Sequence, residues 1–333
     1  PSATPSSQGQ VLGNLCWHAV PQSVDCRSVA FILNCQDDKQ FVPNLRIWKN
    51  KLMAKKNPFV SPILKWVGGK RQLIGEISQL LPRDLSKCLY CEPFVGGGAV
   101  LFHLQPKKAI ISDLNAELIN VYEVVRDHPD ELIESLARHE NTPEHFYQVR
   151  SLDRDPLFEH VSNIERASRI IFLNKTCYNG LFRVNRAGEF NSPFGYYKSP
   201  NIVNEPGIYA LSRYFRENDI EILASDYKSL LSREFPERTF VYLDPPYHPI
   251  SETSSFTGYV QGGWNAESQR RLKDVCDSLT ERGIRFMQSN SSAEFIKDLY
   301  QDYIITSVQA TRLVNSVASS RGVVEELIIR NYE

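Results

Sequence analysis

An α/β sheet interrupted by a mostly helical insertion is the fold that this chain of 333 residues predicts. Three observations carry it. From Pro58 onward, short apolar runs rich in strand-forming residues alternate with longer amphipathic stretches, the pattern of strands separated by helices. The three glycines Gly96 to Gly98 join the first apolar run to the stretch behind it. Between residues 116 and 200 the alternation lapses into helical periods and then a segment rich in Asn, Gly and aromatic residues, which sets that stretch apart from the sheet.

The elements follow in chain order. PSATPSSQGQ is low-complexity and predicted to be disordered, and the stretch up to Asn50 sustains no hydrophobic period. In LMAKKNPF, Met53 followed by a small residue and two lysines reads like a translation start. Residues 1–52 are therefore expected to be a dispensable extension or an upstream mis-start, and the whole extension is placed at residues 1–57. KCLYCEP (Lys87 to Pro93) predicts a first strand, VGGGAVLFHL a glycine turn opening a helix, and KAIISD (Lys108 to Asp113) a second strand closing on an acid. Helical periods run from Ala116 to about Arg150 and from Ile164 to Lys175, before the polar segment that ends at Pro200. EILASD, TFVYLD, IRFMQSN, YIITSVQA and EELIIRN supply further strands, with helices such as Asn265 to Thr280 between them. Residues 58–115 and 201–333 thus form the sheet domain, and residues 116–200 the insertion.

Composition narrows the classes. The apolar and charged fractions are those of a soluble globular protein, and no apolar run approaches the ~18 residues of a transmembrane helix. Seven cysteines without a framework predict reduced thiols in a cytosol. Cys88 and Cys91 form a CxxC with no second pair, and the seven histidines show no metal spacing, so no metal is expected. Net charge is near zero, but its distribution is uneven. Arg166, Arg169, Lys175, Arg183, Arg186 and Lys198 are opposed within their own stretch only by Glu189. That is either a solvated face or the footprint of a polyanion site.

The run TFVYLDPPYHP (Thr239 to Pro249) ends a strand on an acid, two prolines and a tyrosine. Prolines cannot donate to a ladder, so Asp244 is delivered to the rim of the sheet beside Pro245, Pro246 and Tyr247. This is either an ordinary strand stop or a stiff claw for something planar with hydrogens to donate. EPFVGGGA (Glu92 to Ala99) lies at the end of the first strand, where glycines let backbone amides approach a ligand. Its G-G-G spacing departs from the G-x-G-x-x-G that fits a pyrophosphate. Asp113, at the end of the second strand, can accept both hydroxyls of a ribose. The pair suggests an adenosine-containing cofactor without a pyrophosphate, such as S-adenosyl-L-methionine.

Together with PFVSPILKWVGGKRQL (Pro58 to Leu73), ISDLNAELIN (Ile111 to Asn120), YNGLFRVNRAGEFNSPFGYYKSP (Tyr178 to Pro200), DPPYHPISETSSFTGY (Asp244 to Tyr259) and SNSS (Ser289 to Ser292), these motifs resemble the Dam-type DNA adenine-N6 methyltransferases. Within that group the chain is most similar to the DpnII-type enzymes that methylate GATC. The resemblance covers nearly everything from Pro58 to Glu333. It implies a SAM-dependent methyltransferase with a Rossmann-like sheet and a target-recognition subdomain in the insertion. It also implies double-stranded DNA as partner, S-adenosylhomocysteine as product, and a monomer working in the cytoplasm on the nucleoid.

Residue by residue, the resemblance assigns Asp244 and the carbonyl of Pro245 to the target amino group, with the ring of Tyr247 stacked on the base and Pro246 stiffening the turn. Trp66, Lys70, Phe94, Gly96, Gly98, Asp113, Asp226 and Tyr227 match cofactor-binding positions. Because the target atom is unreachable inside a duplex, the base must be flipped out, and Tyr178 resembles the aromatic wedge that fills the gap. Lys65, Asn179, Leu181, Arg183, Pro193 and Tyr197 match positions that meet bases, and Lys198 a backbone contact. Arg183 suits the O6/N7 edge of guanine. Tyr196 departs from the pattern, standing where relatives carry a basic residue, and Thr311 to Gly322 is more apolar than a DNA-contacting loop. Two other readings stay open. One is amino-methylation at another DNA site or at cytosine N4, although DPPY favours adenine over the S-P-P-Y of cytosine enzymes. The other is an inactive DNA-binding module.

Overall fold

The computed structural model describes residues 56–185, 187–250, 264–311 and 323–333. The extension up to residue 55 with its Met53 start, Arg186, the segment behind DPPYHPI and nearly all of Thr311 to Gly322 lie outside the described residues. Apolar runs at Leu89–Glu92 (β1), Lys108–Asp113 (β2), Asp219–Ala224 (β3), Thr239–Leu243 (β4), Arg285–Ser291 (β5), Ile304–Thr311 (β6) and Val323–Arg330 (β7) pair into one sheet. Its order is β3-β2-β1-β4-β5-β7-β6. The first five strands are mutually parallel, and β7 runs antiparallel to both β5 and β6.

Strands buried on both faces read as continuous apolar runs. β4 shows why: Phe240 and Tyr242 enter one core cluster, with Tyr90 and Ile111, while Val241 and Leu243 enter another, with Cys91 and Phe286. Each such side chain, fully withdrawn from water, contributes roughly 1.5–3 kcal/mol before entropy is counted. The helices Ile74–Leu80 (α1), Ala99–Leu104 (α2), Ala116–Asp127 (α3), Pro129–Ala137 (α4), Pro143–Ser151 (α5), Asn163–Thr176 (α6), Glu205–Glu217 (α7), Tyr227–Leu231 (α8), Ala266–Glu281 (α9) and Glu294–Leu299 (α10) cover these faces and build the insertion.

The single helical stretch expected from Ala116 to Arg150 is three helices. Pro129 and Pro143 sit in the first turns of α4 and α5, where a missing N–H costs nothing, and each breaks what would have been a continuous rod. The Thr142 side chain caps α5 by accepting from the His145 amide. α3 packs against β2 and β3 on one side and against α6 on the other, so the layer that covers the sheet runs on into the insertion. Phe146, Phe172, Phe182, Phe190 and Phe194 of the insertion accordingly share one core cluster with Tyr90 and Tyr242 of the sheet.

From β1 the chain winds outward to β2 and β3, and later returns to start β4 on the other side of β1. Helices depart in opposite senses at that reversal, which opens a crevice outside the carboxyl ends of β1 and β4. The glycine loop leaves β1 there, and DPPY leaves β4.

Candidate active site

At the end of β4 the Asp244 carboxylate meets the Lys70 ammonium, with Nζ 2.6 Å from Oδ1. The same ammonium donates to the Gly68 carbonyl and lies 4.6 Å from the centre of the Tyr247 ring. Lys70 is buried, an arrangement a lysine tolerates only when paired. Sequence assigned Lys70 to the cofactor side; its charged end stands in the claw. Burial pushes the Asp244 carboxyl up to about 6, against the pull of Lys70 and with a further upward push from Glu326. Glu92, the last residue of β1, is buried nearby and driven by desolvation up to about 8, while the Tyr90 hydroxyl donates to it at 2.8 Å.

The turn behind Asp244 is tied down from β5 and α9. Gln269 Nε2 donates to the Pro246 carbonyl at 3.0 Å, and Asn290 Nδ2 donates to Gln269 Oε1 at 3.1 Å. The His248 amide donates to Asn290 Oδ1, and the Ser291 hydroxyl to the His248 carbonyl. Of the two proline carbonyls, that of Pro246 is therefore engaged, whereas no described group donates to that of Pro245. Tyr247 points its hydroxyl at Glu326 Oε2, 2.6 Å away. The His248 ring stacks at a tilt on Phe295.

The glycine loop is shaped by its neighbours. Gly98 has φ +69°, and a Cβ there would stand 2.5 Å from Phe102, so no other residue caps α2 in this conformation. At Gly96 a Cβ would meet Trp66 at 2.8 Å. Trp66 thus lies over the loop, and its other contact is a stack on Phe182 of the insertion at 4.8 Å. Asp113 accepts from the Gly96 amide at 3.0 Å and from the Asn115 amide at 2.9 Å, so its carboxylate braces the loop. Burial raises its pKa despite those donors. Asp226 caps α8 by accepting from the Lys228 amide. Phe94, Tyr227 and Trp264 enclose one aromatic corner, with ring centres 5.2 to 5.8 Å apart. Trp264 is buried and its indole N–H has no partner among the described residues. Loop, buried carboxylate and aromatic corner suit a nucleoside with a purine face and ribose hydroxyls.

The third group lies on the insertion. Tyr178 and Asn179 follow α6 and are exposed, with Tyr178 58% accessible and Asn179 in the left-handed region at φ 59°. The Tyr178 amide donates to the Pro193 carbonyl, which sets the two segments side by side. Leu181 and Arg183 are half-buried, and Arg183 Nε donates to Asn191 Oδ1 at 3.0 Å. Lys65 is exposed and its ammonium lies 5.8 Å from the centre of the Tyr197 ring, while Lys198 is exposed as well. Buried Asn174 of α6, which sequence reading passed over, accepts from the Lys65 amide and donates to the Lys65 and Gly180 carbonyls. It locks the chain at Lys65, just ahead of Trp66, to the loop that follows α6.

The basic stretch is smaller than sequence suggested. Arg166 pairs with Glu117, and Arg169 is buried against Asp153 at 2.8 Å while donating to the Val149 and Arg150 carbonyls. Both acids come from outside the window in which charges were summed. Burial, and after it the like charges of Lys65 and Arg71, lower the pKa of Lys175. Among the described residues no helix is long and apolar enough to cross a membrane.

Glu92, Gln269 and Glu326 lie in ordinary strand or helix stretches and Trp264 just ahead of α9, and each acquires its place only through the tertiary fold. A glutamine, a tryptophan and two glutamates carry no spacing signal of their own.

Residues 66–314 match the model of the D12 class N6 adenine-specific DNA methyltransferases. The chain is 43% identical over 283 residues to the Type II methyltransferase M1.LlaDCHI of Lactococcus lactis subsp. cremoris, covering 84% of this chain and 99% of the relative. It is 40% identical to the Type II methyltransferase M.MjaIII of Methanocaldococcus jannaschii, over 82% of this chain and 99% of that one. To the DNA adenine methylase of Escherichia coli it is 33% identical, over 80% of this chain and 93% of the relative.

Proposed function

The chain belongs to the D12 class of N6 adenine-specific DNA methyltransferases, and from that premise we propose that it transfers a methyl group from S-adenosyl-L-methionine to adenine N6 in GATC of double-stranded DNA, after flipping the base. One observation carries the reading: an N–H-bearing cation sits on the Asp244 carboxylate and over the Tyr247 ring. A site that grips an ammonium between an anion and an aromatic face is built to grip an amino group on a planar base.

The adenine amino nitrogen is a poor nucleophile because its lone pair is delocalised into the ring. Asp244 and the Pro245 carbonyl accept its two hydrogens and so localise the lone pair. Lys70 gives up its bond to Asp244 as the amino group arrives. The Pro246 carbonyl, held by Gln269, keeps the turn from relaxing, so catalysis comes from positioning and fixed dipoles. The glycine loop, Asp113, Phe94, Tyr227 and Trp264 would hold the cofactor, which when bound supplies a methyl group on a sulfonium centre. Its fit is supported by the buried Asp113 carboxylate, the aromatic corner and the unpartnered Trp264 indole. The GATC site rests on the resemblance of Lys65, Tyr178, Asn179, Leu181, Arg183, Pro193 and Tyr197 to base-contacting positions. Relatives named type II methyltransferases support a restriction–modification role.

The test is a plasmid incubated with the protein and S-adenosyl-L-methionine, then challenged with nucleases that are blocked by, or require, methyl-adenine in GATC. Acquired resistance to the first and sensitivity to the second are expected. Methyl-adenine recovered only outside GATC would remove the site assignment and leave the chemistry standing.

A further inference from the structure

The bonds from β5 and α9 hold the main chain of the DPPY turn, but none of them touches the Tyr247 ring. A tyrosine at the mouth of a cleft keeps its side-chain rotations unless its tip is held. That tip is held by Glu326, through a 2.6 Å bond from hydroxyl to carboxylate. Such a charge-assisted bond is short and directional. Glu326 reaches the turn because β7 is antiparallel: paired opposite Ser291, the last residue of β5, it brings the early part of β7 to the rim where the parallel strands end.

Glu326 pushes the Asp244 carboxyl upward by like-charge repulsion, a cost that a neutral acceptor would avoid. What the anion adds is a firmer grip on the phenol and a more electron-rich ring, against whose face Lys70 already lies.

We propose that Glu326 is a positioning residue that fixes the plane of the Tyr247 ring for stacking on the extruded purine. It acts on capture of the base and not on the methyl transfer. The inference rests on the reading that Tyr247 stacks on the target adenine.

The test uses the full chain with Glu326→Ala, Glu326→Gln, Tyr247→Phe and the double variant Tyr247→Phe/Glu326→Ala. The substrate is a GATC duplex, with 2-aminopurine at the target for fluorescence. Glu326→Ala and Tyr247→Phe are each expected to raise KM for the duplex by about tenfold and to cut the fluorescence rise, with kcat changed less. The double variant should be no worse than either single one, since both remove the same bond. Glu326→Gln, whose amide oxygen still accepts, should restore KM to within about threefold of wild type. Losses that multiply in the double variant, or a Glu326→Ala protein indistinguishable from wild type, would overturn the proposal. If Glu326→Ala does not fold, the other two single variants decide: an unimpaired Tyr247→Phe, or a Glu326→Gln as damaged as Tyr247→Phe, overturns it equally. A wild type that methylates no adenine would sink the functional reading instead. The tether itself would still be read from non-additive melting temperatures of the same four variants.

Discussion

An ammonium held at 2.6 Å by a carboxylate that burial has pushed up to about 6 defines the chemistry at the scale of single residues. Asp244→Ala should cut single-turnover methyl transfer by at least about a hundredfold while duplex binding to the folded protein survives. Asp244→Asn should be nearly as damaging, because its NH2 can meet the target amino group donor to donor; a rate within a few-fold of wild type for either variant would take the carboxylate out of the mechanism. Asp244 accepts both in charge and in geometry only when ionised, so kcat/KM should rise with pH up to about 6 and level off above it. A profile flat well below that value would contradict the assignment. Glu92 gives the matching stability effect. Its pKa in the fold, about 8, lies above that of the unfolded chain, so the folded state binds the extra proton in between. Stability contributed by that proton is complete at low pH and is lost as pH rises through about 8. Glu92→Gln should therefore flatten the decline in melting temperature between about pH 5 and about pH 8, as followed by calorimetry. Asp244 and Tyr247 were legible in the sequence because prolines mark the turn. Glu92 was quoted within its motif but given no role, since nothing local says that a strand-end glutamate is sealed beneath the claw.

At the scale of elements, the proposed function divides the insertion between residues that read bases and residues that hold the backbone. Arg183 is half-buried and aimed by Asn191, whereas Lys198 is exposed. Arg183→Ala should lose discrimination at one guanine, at about 1–3 kcal/mol, while Lys198→Ala should weaken binding to all sequences and flatten the salt dependence. Equal losses on cognate and non-cognate duplex for Arg183→Ala would make it a phosphate clamp. Tyr178 is exposed behind α6 with its backbone pinned to Pro193, as the proposed wedge requires. Tyr178→Ala should slow turnover on a paired duplex more than on one whose target adenine is mispaired, because unstacking costs less there. Equal impairment on both would return Tyr178 to a packing role. Helix type and strand type were legible here, since their periods are local. The breaks at Pro129 and Pro143 are also local signals, because a proline starts a helix far more readily than it continues one. The pairing of Arg166 and Arg169 with Glu117 and Asp153 was not, because charge summed along a window ignores acids that arrive from other helices.

For the whole molecule, the described residues begin just behind the expected start. Asn57 and Gln105 exchange hydrogen bonds between backbone and side chain, and Lys56 donates to the His103 carbonyl. A chain beginning at Met53 retains all of these and should melt within a few degrees of the full chain and methylate as fast. Loss of cooperative unfolding in that truncation would make the extension part of the fold. Alternating periods, the glycine turn and the proline-stopped strand were enough for the sequence by itself to determine an α/β sheet, the glycine loop behind its first strand and the stiff turn that carries Asp244, because each is written in neighbouring residues whose backbone preferences act locally. Only the tertiary structure decided which side chains enter the claw from elsewhere. Lys70 comes from ahead of β1, Gln269 from α9 and Glu326 from an antiparallel strand near the chain's end, and each bond forms because sheet order closes loops of many residues. The entropy of closing those loops is met by the burial of the whole core, a term that no local stretch of sequence contains.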